Sequence, residues 1–152
     1  MRILIIDDDA AILDDIRAAL LPGGYDVITE SNPVEALARF EQEPFDVVIS
    51  DIRMPEMSGI DVLKKVRESH PKLPVIIMTA YGDVETAIAC INNHAYGFLP
   101  KPLDFNELLD MIHRIEEENR GETPIDYQKL KEAYKELEKA YQNLSKMVDN
   151  IN

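Results

Sequence analysis

With a single cysteine, Cys90, the 152-residue sequence can form neither an internal disulfide nor a cysteine metal cluster. Cys90 lies among Val84, Ala87, Ile88 and Ile91, a helical spacing that marks it as an ordinary helix residue. The three histidines, His70, His94 and His113, are scattered and lack the spacing of metal ligands. No apolar run approaches the roughly 18 residues of a membrane span, and the chain opens directly on a strand-like segment. A soluble, cytoplasmic protein with no membrane contact is the expectation. Positive charge is also scarce. Residues 1–120 carry 23 acids against 11 bases, whereas residues 121–152 carry 6 against 5, so the net charge of -13 belongs to the first part. That balance argues against direct nucleic acid binding by this segment, or binding to anionic lipid, because both need a cationic surface.

What is present is enough apolar residue, 45%, to build a sizeable core for one domain with an appendage. Short apolar runs alternate with helical patterns. Strands are predicted at Arg2–Ile6, Tyr25–Ile28, Phe45–Ser50, Leu73–Met78 and Tyr96–Leu99, and helices near 10–21, 33–42, 58–69, 83–93 and 104–119. Ser31-Asn32 before Pro33, Ser58 and Asp104 read as helix starts, and Gly23-Gly24 ends the first helix. The third and fourth strands are unbroken Val/Ile/Met runs, as expected where helices cover both sheet faces. Five such units imply an α/β fold, a doubly wound parallel sheet. Five strands usually take the order 2-1-3-4-5, with ligands at the carboxyl ends of the strands.

Polar residues break the apolar strands at those same ends. Asp7, Asp8 and Asp9 follow the first strand, Ser50-Asp51 the third, Thr79 the fourth and Lys101 the fifth. Crowded carboxylates repel, and a hard cation relieves the repulsion. Magnesium suits, because it takes oxygen ligands and is commonly completed by phosphate oxygens. Such an assembly fits phosphoryl transfer to a carboxylate, with Asp51 as nucleophile, Thr79 donating to a phosphoryl oxygen and Lys101 pairing with another. Each residue also has a plainer reading: Asp7–Asp9 as helix caps, Asp51 as a turn residue, Thr79 as a strand end, Lys101 as a surface lysine. The four together, in order on successive elements, favour the chemical reading.

The pattern Asp7-Asp8, Asp51 with Pro55 and Gly59, Thr79-Ala80 and Lys101-Pro102 resembles the receiver domain of two-component response regulators over residues 1–118. The wording around Asp51-Ile52-Arg53-Met54-Pro55 and Thr79-Ala80-Tyr81-Gly82-Asp83 is most similar to receivers of sigma-54 transcription activators. The resemblance implies a flavodoxin-like fold. It also implies a phosphoryl group passed from a histidine kinase or phosphotransfer protein to Asp51. Magnesium would be held by Asp8 and Asp51 directly, Asp7 through water and Arg53 through its backbone carbonyl. It implies a cis peptide before Pro102, and a switch of Thr79, Tyr81 and Phe98 that remodels the face of the fourth helix, fifth strand and fifth helix. Two departures stand out: His94-Ala95 replaces a common glycine, so Asn93 or His94 takes the left-handed conformation there, and Phe98 replaces a common tyrosine. A family member of this kind is no enzyme in the usual sense, since its self-phosphorylation is stoichiometric. The alternative is a receiver-like dimerisation or binding module that signals without phosphate. A third class, a magnesium-dependent phosphohydrolase on a similar sheet, is disfavoured because this sequence has no second catalytic aspartate close after Asp51 and no cap domain.

The receiver-like domain is assigned to 1–119, a break to 120–125 around Gly121-Glu122-Thr123-Pro124, and an amphipathic helix to 126–152. Tyr127, Leu130, Tyr134, Leu137, Tyr141, Leu144, Val148 and Ile151 alternate spacings of three and four, a coiled-coil seam. A parallel dimeric coiled coil is the leading reading, with an amphipathic helix packing on its own receiver or on a further domain as the alternative, and a homodimer through the 127–151 helix, the receiver face or both is expected. The seam is read as leading to an output domain beyond this segment.

Overall fold

The computed structural model describes residues 1–80, 84–121 and 127–151. Its elements run β1 (Arg2–Ile6), α1 (Ala10–Leu20), β2 (Asp26–Glu30), α2 (Pro33–Gln42), β3 (Val47–Asp51), α3 (Gly59–Ser69), β4 (Val75–Thr79), α4 (Val84–Asn92), β5 (Gly97–Pro100), α5 (Phe105–Asn119) and α6 (Tyr127–Ile151). All strand pairs are parallel, in the order β2-β1-β3-β4-β5. Two compact units divide the chain at Ile115 and Glu116, inside α5. No helix among the described residues is long and apolar enough to cross a membrane.

The unbroken strands are covered on both faces, as their sequence requires. Along β1, Ile3 and Ile5 join Leu13, Ile16 and Leu20 of α1 and Leu108, Ile112 and Ile115 of α5. The alternate residues Leu4 and Ile6 join Phe40 of α2, Val62, Leu63 and Val66 of α3 and Cys90 of α4. Ile3 to Ile6 are fully buried, and each such side chain contributes about 1.5–3 kcal/mol relative to exposure. Cys90 is buried within this second cluster, so it serves as a packing residue.

Most strands begin and end one or two residues later than the apolar runs suggest. Tyr25 and Phe45 are buried but precede their ladders, because burial does not require pairing. Asp51 and Thr79 are polar yet remain paired, Asp51 with Met78 and Thr79 with Pro100, because ladder bonds use backbone only. The first helix also stops earlier than expected: α1 ends at Leu20, and a single 3-10 turn, Leu21–Gly23, leads to Gly24 at φ 76. Pro22 in that turn has no N–H to continue the α-helical ladder.

Starts are capped as the sequence signals indicate. Asn32 Oδ1 accepts from the N–H groups of Val34 (2.8 Å) and Glu35 (3.2 Å), and Ser58 and Asp61 form a reciprocal capping box. Asp104 Oδ1 accepts from the Asn106 N–H at 2.9 Å. His94, rather than Asn93, adopts the left-handed conformation (φ 60), and its carbonyl accepts two bonds from the Arg67 guanidinium, at 2.6 and 3.2 Å. Tyr81 and most of the 120–125 break lie outside the described residues.

Gly59 is required by a close approach. Its N–H donates to the Ile52 carbonyl at 2.9 Å, and a Cβ here would collide with the Asp51 carbonyl oxygen and lie 2.9 Å from Ile52 Cα. Both obstacles are backbone atoms of the strand end that carries Asp51. Gly59→Ala is therefore expected to destabilise the domain by about 1–3 kcal/mol, read as a lower urea midpoint at unchanged slope. An unchanged midpoint would contradict the packing described.

Candidate functional site

The parallel register brings the polar strand ends together. Ile6 pairs with Ser50, so Asp7 follows on β1 where Asp51 follows on β3. The Asp7 N–H continues the ladder to the Glu30 carbonyl at 3.2 Å, and the Lys101 N–H continues it to the Thr79 carbonyl at 2.7 Å. Backbone pairing thus extends into the residues that carry the candidate site. Lys101-Pro102 is a cis peptide, as the resemblance implies.

The three successive aspartates have separate positions. Asp9 caps α1, its side chain accepting from the Ala11 N–H at 3.0 Å. Asp7 is fully buried, with Oδ1 accepting from the Asp9 N–H at 2.9 Å and Oδ2 paired with Lys101 Nζ at 2.8 Å. Asp8 is exposed. The plainer helix-cap reading therefore holds for Asp9 alone. Asp51 is buried, and its Oδ1 lies 3.1 Å from the same Lys101 Nζ, so one ammonium serves two carboxylates. Thr79 is buried at the end of β4 beside them in register, Arg53 is exposed in the loop after β3, and Phe98 is half-buried against the α2–α4 side of the core.

Burial holds the Asp51 carboxyl above its ordinary pKa, and repulsion from Asp7 adds to this; the Lys101 hydrogen bond and charge, with the Ile52 N–H, oppose the shift without cancelling it. For Lys101 burial pulls downward, but the hydrogen bonds and charges of Asp7 and Asp51 outweigh it and hold the ammonium above its usual value. The ammonium is therefore firmly charged, and the site remains net negative.

Asp7, Asp8 and Asp51 each place a carboxylate oxygen within 4.8 Å of the others. All donors are hard oxygens, two from a rigid buried floor and one from an exposed residue open to water, which fits magnesium. Beside Lys101, a cavity of about 260 Å³ is lined by Ile12, Asp15, Pro102, Leu103 and Phe105. No sequence signal marked it, because α1 and the turn after β5 meet only through folding. Glu56, at φ 71 in the loop after Asp51, was likewise not anticipated.

A family model described as the response regulator receiver domain matches residues 3–113. Among curated relatives, the transcriptional regulatory protein ZraR of Klebsiella oxytoca is 39% identical over 124 residues, covering 81% of this chain and 28% of the relative. The DNA-binding transcriptional regulator NtrC of Salmonella typhimurium is 40% identical over 110 residues, covering 72% of this chain and 24% of the relative. The chain thus spans roughly a quarter of the length of these relatives. A response regulator receiver domain protein from Clostridium thermocellum superposes with TM-score 0.73 at 35% identity, covering 78% of this chain and 96% of that one. The chemotaxis protein CheY4 of Vibrio cholerae gives 0.70 at 32%, covering 75% and 97%.

The raised Asp51 pKa has a stability consequence. The folded state binds the Asp51 proton more tightly than the unfolded chain does, so the ionised carboxylate destabilises the fold at neutral pH. Without added metal, Asp51→Asn is expected to raise the melting temperature by a few degrees. The advantage shrinks as pH falls through the folded pKa toward the unfolded value, where wild type is also neutral at this position. Melting curves from neutral to acid pH check it; a less stable Asp51→Asn at neutral pH would contradict the account.

Proposed function

This chain belongs to the response regulator receiver domain family, and we propose that it is a switch set by phosphorylation of Asp51. The observation that carries the proposal is Lys101 Nζ, held 2.8 Å from Asp7 and 3.1 Å from Asp51 at the carboxyl edge of the sheet. A carboxylate fixed beside a firm positive charge is placed to take a phosphoryl group and to hold the product's negative charge. A degenerate, phosphate-independent receiver would not need the full set of Asp7, Asp8, Asp51, Thr79 and Lys101.

The donor is the phosphohistidine of a histidine kinase or phosphotransfer protein. An Asp51 carboxylate oxygen attacks the phosphorus in line with the phosphorus–nitrogen bond, which breaks. Its electron pair stays on the imidazole nitrogen, and an acyl phosphate forms on Asp51. Asp7, Asp8 and Asp51, with the Arg53 backbone carbonyl, would hold magnesium, which supplies charge neutralisation for the transferring phosphoryl oxygens. Lys101 then exchanges its contact with the Asp51 carboxylate for a phosphoryl oxygen, and the Thr79 hydroxyl donates to another. The reaction is stoichiometric, with slow self-dephosphorylation.

The response passes through Thr79 to Phe98. Drawing the Thr79 hydroxyl toward the phosphoryl group opens room for Phe98 to turn further inward, with Tyr81 as the third switch residue. The face so remodelled is α4, β5 and α5. Val84, Ile88 and Ile91 already leave an exposed apolar stripe along α4. We assign this face, the α6 helix or both to self-association, and hence to control of an output. The negative charge of residues 1–120 argues against direct nucleic acid binding by the segment and supports assigning it to the cytoplasm, where kinases find ATP.

In magnesium and a small acyl phosphodonor, intact-mass measurement is expected to show one added phosphoryl group on wild type and none on Asp51→Asn. Labelling of Asp51→Asn to the wild-type extent would sink the site assignment. Lys101→Ala is expected to keep its magnesium affinity, since the ammonium contends with the cation for the same carboxylates, while losing the phosphorylation-dependent change in Phe98 environment. Asp8→Ala is expected to bind magnesium roughly tenfold more weakly or worse. Equal losses of affinity in the two variants, by titration calorimetry, would contradict their separate roles.

A further inference from the structure

Among the described residues, α4 is anchored to the sheet at one end only. Helices α3 and α5 bury side chains along their length, from Gly59 to Val66 and from Leu108 to Ile115, whereas the one buried side chain of α4 is Cys90, near its C-terminal end. At the other end Val84 is 73% exposed. The C-terminal end closes in a clasp. The Ala95 N–H donates to the Cys90 carbonyl at 2.9 Å and the His94 N–H to the Ile91 carbonyl at 3.1 Å, the paired bonds of a Schellman turn with His94 as its left-handed residue. The His94 carbonyl in turn accepts from Nε and Nη2 of Arg67, while Nη1 of the same guanidinium donates to the carbonyls of His70 and Leu73. One rigid fork thus ties the turn after α4 to the end of α3 and to the approach to β4.

We infer that this clasp is the pivot of the switch: Arg67 is a positioning residue that holds the His94 end of α4, so that displacement on phosphorylation falls at the Val84 end. The inference rests on the proposed phosphorylation of Asp51 and adds which end of α4 moves and what fixes the other. Val84 is the end that follows Thr79 and the candidate site along the chain. The clasp lies at the opposite edge of the sheet, where the Tyr96 N–H donates to the Val75 carbonyl at the start of β4. Tilting the Val84 end uncovers no fully buried side chain. Moving the His94 end would break the guanidinium bonds and uncover Cys90. The nine residues of α4 span about 13 Å, so a tilt of about 10° carries Val84 roughly 2 Å and leaves His94 almost in place.

The test uses the full chain in magnesium with and without excess acetyl phosphate. Residue-resolved amide exchange is read by NMR, and phosphoryl uptake by intact mass on the same samples. In wild type, phosphorylation is expected to change exchange at Ile88 and Ala89, whose N–H groups close the first turn of α4, by at least about fivefold, and at His94 to Tyr96 by less than about twofold. Arg67→Gln is expected to take up phosphate to the wild-type extent while the larger change spreads to Ala95 and Tyr96, because one amide cannot bridge three carbonyls. His94→Gly keeps the carbonyl and takes the left-handed conformation freely, so it is expected to retain the wild-type pattern. A phosphorylated wild type whose exchange changes evenly along α4, chiefly at His94 to Tyr96, or nowhere in the helix overturns the pivot and leaves the phosphorylation reading intact. Loss of the pattern in His94→Gly overturns it as well. So does Arg67→Gln with the change still confined to the Val84 end, which would reduce Arg67 to a packing residue. If wild type takes up no phosphate, the reading and the pivot fall together.

Discussion

The carboxyl edge of the sheet depends on one ammonium shared between two buried carboxylates. Lys101 lies 2.8 Å from Asp7 and 3.1 Å from Asp51, and it satisfies the full charge of neither. With Asp8 close by and exposed, the edge keeps a net negative charge that folding has concentrated. Desolvation makes that concentration costly, as the raised Asp51 pKa records. A site strained in this way gains from any cation or charge transfer that relieves it. The same crowding that destabilises the resting site would favour the proposed uptake of a phosphoryl group.

Backbone pairing holds the arrangement in place. The ladder runs through Asp51 and Thr79 and continues at Asp7 and Lys101, so the candidate site stands on the sheet and not on free loops. Gly59 lets α3 start against the backbone of Asp51 and Ile52, and its capping box at Ser58 and Asp61 secures that start. At the opposite edge, Arg67 donates to the carbonyls of His70, Leu73 and His94, tying the end of α3 to the turns before β4 and β5. Both strands are thus fixed at the end remote from Thr79 and Lys101.

The fold was largely readable from the apolar runs, because strands buried on both faces leave an unbroken Val/Ile signature. The four polar positions were readable because each interrupts such a run at the same end. What the runs could not reveal was depth and pairing. Three consecutive aspartates look alike in sequence, yet Asp7 is buried, Asp8 exposed and Asp9 a cap, a difference made by the turn from β1 into α1. Polarity suggested that strands stop before Asp51 and Thr79, but side-chain character does not govern backbone ladders. The Arg67 anchor was invisible because its acceptors are main-chain carbonyls, which carry no residue signature. The α6 heptad was legible from spacing alone.

The measurement that bears most directly on the account is chemical localisation of the phosphoryl group. Protein treated with a phosphodonor in magnesium is reduced with borohydride, which converts an aspartyl phosphate to homoserine, and its peptides are sequenced by mass spectrometry. The account requires homoserine at position 51 and at no other aspartate. Homoserine at Asp7 or Asp8, or none under conditions where a known receiver is labelled, would contradict it.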